Sequence, residues 1–151
     1  MVTPETELEF LKDVLLDNDD AIDLALSLGR ASQFIDDIID KDKPMSNAEI
    51  GIGFLNILIN LPRNRFYLDH LPELTPILYT AMADYIASTE MENSDNDHTK
   101  NLAFVLRDSL IAVVIYLAGV VGGDMYGLTA ASKIRNFYHD ETLEQYKGGL
   151  K

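Results

Sequence analysis

An all-α bundle of six to seven helices in a single domain is what this sequence predicts, and three observations predict it. Apolar residues recur at helical spacing along most of the chain, as at Leu8, Leu11 and Leu15 or at Leu24, Leu28, Ala31, Ile35 and Ile38. No stretch of useful length alternates apolar and polar residues as a strand would, and no solenoid period is present. With 151 residues, 47% hydrophobic and 25% charged, the chain is large enough for one core and too apolar for disorder. The domain is expected over residues 1–147, with 148–151 as a flexible tail beginning at Gly148-Gly149.

The helices follow in order from their start and stop signals. Thr3 caps the first, with Pro4 at its first position and Glu5 and Glu7 in its first turn, where carboxylates complement the helix dipole. Asp17-Asn18-Asp19-Asp20 interrupts it and caps a second helix that is nearly continuous from Asp19 to about Asp42. Gly29 is the weak point of that helix, costing about 1 kcal/mol relative to alanine if the helix runs through it. A turn at Gly29, with Ser32 as a new cap, is the alternative. Ser46-Asn47-Ala48-Glu49 is a capping box that opens a helix to about Leu61, where Pro62 ends it. Leu61 to Pro76 holds three prolines and reads as a connector with one short helix. A further helix is expected from Thr75 or Pro76 to Glu90, then a surface loop from Glu92 to Thr99. The most hydrophobic helix runs from about Lys100 to Val121, with Ala112, Ala118, Gly119 and Gly122 small enough to admit a close neighbour. Gly122-Gly123 breaks it, and Thr129 to Tyr138 forms the last full helix.

Charge narrows the function classes. The chain carries 25 acids against 12 bases, a net charge of -13, which repels phosphate backbones and anionic lipid and argues against nucleic acid as a partner. Cysteine is absent, so thiolate zinc sites and cysteine nucleophiles are excluded. The start, Met1-Val2-Thr3-Pro4-Glu5, lacks the features of a signal peptide. The longest uncharged run, Ser109 to Gly123, is short of the roughly 20 apolar residues of a membrane span and reads as a buried core helix. A cytoplasmic protein without a membrane span is therefore expected. His70, His98 and His139 are not spaced as ligands, and Arg107-Asp108, flanked by apolar residues, is expected to pair with a neighbouring helix.

The stretch that suggests chemistry is Leu28 to Asp42. Asp36, Asp37 and Asp40 fall at i,i+3 and i,i+4 spacing, so all three can lean over one helix face, with Gln33 one turn earlier. Acids at a helix C-terminus oppose the macrodipole, so local stability does not account for them. A divalent cation is their natural complement, and small or apolar residues line the helix below them. The same spacing occurs 17 residues earlier in Asp19-Asp20-Ala21-Ile22-Asp23. On one straight helix the two clusters lie about 25 Å apart; in a hairpin at Gly29 they face each other.

The stretch Gly29-Arg30-Ala31-Ser32-Gln33-Phe34-Ile35-Asp36-Asp37-Ile38-Ile39-Asp40 resembles the aspartate-rich helix of the class I isoprenoid synthases, G-x-x-x-Q-x-x-D-D-x-x-D. Tyr116-Leu117-Ala118-Gly119-Val120-Val121-Gly122 looks like the Y-x-A-G-x-V-G helix of the squalene and phytoene synthase branch. Asn136-Phe137-Tyr138-His139-Asp140 is similar to that branch's second metal motif, N-x-x-x-D, and the order along the chain is the family's order. The resemblance implies a terpenoid-synthase-like bundle, present here as a short or degenerate relative. In it Asp36, Asp37 and Asp40, with Asn136 and Asp140, would hold Mg2+ on an isoprenoid diphosphate. Gln33, Arg30, Tyr116 and Gly119 would contact the substrate. The chain is about half the length of such synthases, and a homodimer would complete the cavity.

Two other readings stand beside this one. Asp20 and Asp23 with Asp37 and Asp40 resemble the paired acidic motifs on facing helices of all-α nucleoside triphosphate pyrophosphohydrolases, which requires the hairpin at Gly29. A non-enzymatic acidic interaction protein or DNA mimic would instead spread its carboxylates over one face and bind independently of magnesium.

Overall fold

In a computed structural model, residues 1–150 are described and are helical nearly throughout, with no strand among them. Helix α1 (Pro4–Val14) starts at a capping box built from Thr3 and Thr6 rather than from a glutamate. It ends where Leu16 and Asp17 take left-handed conformations, φ 52° and 55°, and turn the chain into the Asn18 cap of α2. Helix α2 (Asp19–Asp40) runs unbroken through Gly29 and stops at Lys41, also left-handed. The two acidic clusters therefore sit on one rod, about 25 Å apart, and the hairpin alternative falls.

The third helix is shorter than its apolar run suggests. Helix α3 (Asn47–Leu55) opens on the predicted Ser46–Glu49 capping box and passes into a π turn (Asn56–Asn60) and a 3-10 turn (Leu61–Arg63) at Pro62. The expected short helix is α4 (Arg65–Asp69). Its cap Asn64 also donates from Nδ2 to the Asp20 carbonyl at 2.9 Å, fixing it to the start of α2.

Helix α5 (Leu71–Met91) begins a turn earlier than predicted. Pro72 occupies a first-turn position where no N–H is needed, and Pro76 is carried inside the helix. The long hydrophobic helix is divided at residues 107–110 into α6 (Asp97–Leu106) and α7 (Ile111–Gly122). The whole stretch Asp97–Gly122 is long and apolar enough to cross a membrane. Here it is interrupted, and α7 supplies Val113, Val114, Leu117 and Ala118 to the core.

Gly123, at φ 92°, doubles the chain back into α8 (Asp124–Tyr138), which begins one turn before the predicted Thr129 start. The two helices approach at Gly119 and Gly127: a Cβ on Gly127 would lie 2.6 Å from the Gly119 Cα. A last helix, α9 (Leu143–Gly149), was not predicted; it starts at a Thr142–Gln145 capping box and is anchored by buried Tyr146. Gly148 and Gly149 thus belong to a helix rather than to a flexible tail, and Lys151 lies outside the described residues.

The core forms where α1, α2, α7 and α8 meet, around fully buried Leu11, Leu15, Leu24, Leu117 and Ile134. Phe10 and Phe137 stack at 3.9 Å between α1 and α8, and Tyr126 donates to the Val14 carbonyl, satisfying one of the last acceptors of α1. Burying these apolar side chains is the main favourable term in the fold.

Candidate functional site

The C-terminal end of α2 emerges from this core beside α5, the 107–110 turn and α9, and the polar groups of those elements gather there. Tyr85 on α5 donates its hydroxyl to Asp36 Oδ1 at 2.5 Å. Burial, then the bond and charge of Asp36, hold the Tyr85 hydroxyl far above its ordinary ionisation range, so it remains a donor. Asp40, one turn further, has its carboxyl pushed up by desolvation and by the charges of Asp36, Asp42 and Glu92, with Arg107 opposing. Arg107 sits at the break between α6 and α7, where it bonds Glu141 Oε2 at 3.2 Å and lies 5.0 Å from the centre of the Tyr146 ring. Tyr146 in turn donates to Glu92 at 2.9 Å. Burial and Glu92 push its hydroxyl up to about 12.

These groups surround an open mouth of about 390 Å³. Its described lining carries five carboxylates, Asp36, Asp40, Asp42, Glu92 and Glu141, and one cation, Arg107. Asp36, Tyr85 and Arg107 also line a second chamber of about 250 Å³, walled by Leu28, Val113 and Val114 and reached by Glu7, Asp108 and Tyr138. Burial raises the Asp108 carboxyl, although Arg107 and His139 oppose it; His139 Nδ1 lies 3.4 Å away. Leu28, Ser32, Tyr85 and Leu110 then form part of the wall of a third chamber, about 240 Å³ and otherwise almost wholly apolar. Tyr85 borders all three. The acidic mouth, a chamber of mixed polarity and a mostly apolar chamber thus lie side by side and share Tyr85 in their walls.

The predicted site residues divide between this mouth and other places. Asp36 and Asp40 line it together, and their i,i+4 spacing on α2 accounts for that. Asp37 turns aside, accepting from Gln33 Nε2 at 2.9 Å and facing Lys43 at 3.5 Å. Gln33 also lines the second chamber. Arg30 bonds Ser27 and lies on the opposite side of α2, in a cleft against α3. Gly119 is a packing residue: it admits Gly127 of α8, and neither it nor Tyr116 is among the residues lining the three chambers.

Asn136 is exposed on α8, and Asp140 accepts from the Val2 N–H at 2.9 Å and lies 3.5 Å from the terminal ammonium. The neighbours of that pair reach the site instead, Tyr138 in the second chamber and Glu141 at the mouth. Asp20 and Asp23 are exposed at the far end of α2 and face no partner acidic pair. The pyrophosphohydrolase arrangement therefore lacks its facing helices.

Glu92, Glu141, Tyr85 and Tyr146 were not singled out from the sequence as site residues. Only the Asp36–Asp40 spacing pointed to the place where they converge. Arg107 and Asp108 are not paired with a neighbouring helix as expected: their partners, Glu141 and His139, lie in the segment between α8 and α9.

Among the described residues no three carboxylate or imidazole groups form a preassembled metal cage. That is compatible with magnesium, which keeps several waters and is held by one or two carboxylates plus the phosphates of its ligand. Asp36 and Asp40 line one wall of the mouth, and Asp36 already accepts from Tyr85. Comparison with family models, with curated proteins and with solved structures returned no match.

Proposed function

We propose that this protein binds an isoprenoid diphosphate, or a diphosphate amphiphile of the same kind, with magnesium. The observation that supports the reading is that the acidic mouth and a mostly apolar chamber lie side by side with Tyr85 in the walls of both. Burial and then the charges of Asp36, Asp42 and Glu92 raise the Asp40 carboxyl; a divalent cation would relieve that repulsion and neutralise a diphosphate that the carboxylates alone would repel. In this reading Asp36 and Asp40 hold the cation. Tyr85 orients Asp36, Arg107 supplies fixed positive charge to the phosphates, and the inner chambers take the hydrocarbon chain away from water. Each methylene buried there is worth about 0.8 kcal/mol, so the chain length of the ligand sets much of the affinity.

The test is calorimetric titration of geranyl diphosphate into the wild type and Asp36→Asn/Asp40→Asn, with and without magnesium, alongside inorganic diphosphate. Expected are magnesium-dependent binding, at least about tenfold weakening in the double variant, and a preference for the prenyl compound, where tenfold corresponds to about 1.4 kcal/mol. Wild-type binding that ignores magnesium, binding that survives the double substitution, or no binding at all would each overturn the reading.

A further inference from the structure

The hydrophobic segment Ile50 to Asn60 forms a helix end and a π turn that the core does not absorb. Helix α3 and the π turn after it contain no buried residue. They attach to the rest of the fold largely at Phe34 of α2, whose ring fills the space beside Gly53 and meets Phe54 edge-on at 5.3 Å. The remaining apolar side chains face outward: Ile52 is 58% exposed, Leu55 49% and Leu58 66%. Across a groove, α5 presents a second exposed stripe, with Tyr79 78% exposed and Met82 and Ile86 each 43%. Ile57 of the π turn and Leu78 and Met82 of α5 form the walls of that groove, above Leu28 and Ile35 of α2.

Three properties decide what covers this surface. The first is area. Nine apolar side chains of the ridge and the α5 stripe are each at least 36% exposed, an extent of surface of the kind that a standard stable interface, about 800 Å² on each partner, buries. The second is charge. No charged residue occurs from Ile50 to Pro62, and none on α5 between Glu73 and Asp84, in a chain with 37 acidic and basic residues. A basic partner would find nothing to pair with here, and an anionic lipid surface would be repelled by the net charge of -13. The third is shape. The same chain carries a protruding apolar ridge and, beside it, an apolar groove, which is the self-complementarity a twofold interface requires.

We infer that a second copy of this chain covers the surface, each copy's α3 and π turn lying in the groove its partner forms between that ridge and α5. The contact closes the third chamber from solvent in both copies. It uses neither magnesium nor a phosphorylated ligand, and its test reads assembly alone, although it covers the chamber that the function proposed above assigns to the hydrocarbon chain. Repulsion between two copies of net charge -13 opposes the contact, and salt screens that repulsion while leaving apolar burial intact.

The test is light scattering of the wild type, Leu58→Glu and Tyr79→Glu over a range of concentration and salt. Both substituted side chains face mostly solvent in the single chain, so each variant folds, which far-UV circular dichroism verifies. The expected wild-type mass is twice 16.9 kDa, with dimerisation tightening as salt rises and weakened at least tenfold in each variant. A wild type that is still monomeric at about 100 µM, where specific interfaces of this size are assembled, overturns the inference. So do dimers unaffected by both substitutions, and a monomer that floats with phosphatidylcholine vesicles, which would make lipid the occupant.

Discussion

The Tyr85 hydroxyl donates to Asp36 at 2.5 Å across the seam between α5 and α2, joining residues 49 positions apart. That bond fixes the inner carboxylate of the acidic mouth, and Tyr85 is part of the wall of all three chambers. Tyr85→Phe keeps the ring and removes the donor. Thermal melting should show a loss of about 1 kcal/mol, or 2–4 °C, and magnesium-dependent binding of geranyl diphosphate should weaken with it. In Asp36→Asn the ionisation of Tyr85, followed by ultraviolet absorbance, should move back toward the ordinary range. An unchanged titration would show that burial alone holds the hydroxyl protonated.

Tyr85, Tyr138 and Tyr146 all ionise above the ordinary tyrosine range, in each case first because of burial and then because of a carboxylate partner. A folded-state pKa above the unfolded value means that the folded chain keeps protons the unfolded chain loses. Their contribution to stability is therefore complete below about pH 10 and falls as pH rises beyond it. Melting curves from pH 8 to 11.5 should show a steepening loss from about pH 10. Tyr138→Phe, which removes the partner of Glu7, should make that loss shallower. A flat profile to pH 11.5 would exclude the linkage.

Asp40 illustrates a site carboxylate that the fold itself does not favour. Its carboxyl lies above the ordinary 3.8 because of desolvation and then of Asp36, Asp42 and Glu92, so the folded state loses stability as pH rises through its titration and Asp40 takes its charge. It also ends a helix, where a negative charge opposes the dipole. Asp40→Asn should raise stability by a few tenths of a kcal/mol at neutral pH, the size of one i,i+4 like-charge repulsion, and added salt should shrink the difference. The same variant should bind magnesium and geranyl diphosphate more weakly. Destabilisation by the substitution would mean that the carboxylate has a structural partner.

How much of this was legible beforehand depended on distance along the chain. Thr3, Asn18 and Ser46 are local signals, and the helix starts they mark formed where the sequence put them; the Asp36–Asp40 spacing is local too, and both residues line the mouth. The early start of α5 was hidden because prolines at 72 and 76 read as breakers, although the first turn tolerates Pro72. Helix α9 was missed because Gly148-Gly149 suggested fraying, while the burial of Tyr146 against Phe104 and beneath Arg107 is a tertiary effect. For the same reason Glu92 and Glu141 could not be joined to Asp36: nothing in their local pattern tells that α5 and the segment after α8 converge on the end of α2. The motif Asn136–Asp140 shows the converse, a spacing whose side chains are exposed or tied to the amino terminus while Tyr138 and Glu141 reach the chambers.

Two glycines in helices should respond to alanine in opposite directions. At Gly29, midway along α2, an added Cβ meets nothing within 4 Å. The substitution should therefore gain the helix propensity difference of about 1 kcal/mol and raise the melting temperature by 2–4 °C. At Gly127 the added Cβ would lie 2.6 Å from the Gly119 Cα and 3.0 Å from its N. Those are backbone atoms, which no rotamer change can clear, so α7 and α8 would have to separate and loosen the contacts of Val114, Ala118 and Ala130. A loss of about 1–3 kcal/mol is expected, as for other overpacked cores. Equilibrium denaturation of the two variants provides the comparison. A destabilised Gly29→Ala would point to a bend in α2 that the straight helix lacks, and an unperturbed Gly127→Ala would mean that the α7–α8 contact is looser than the fold described here.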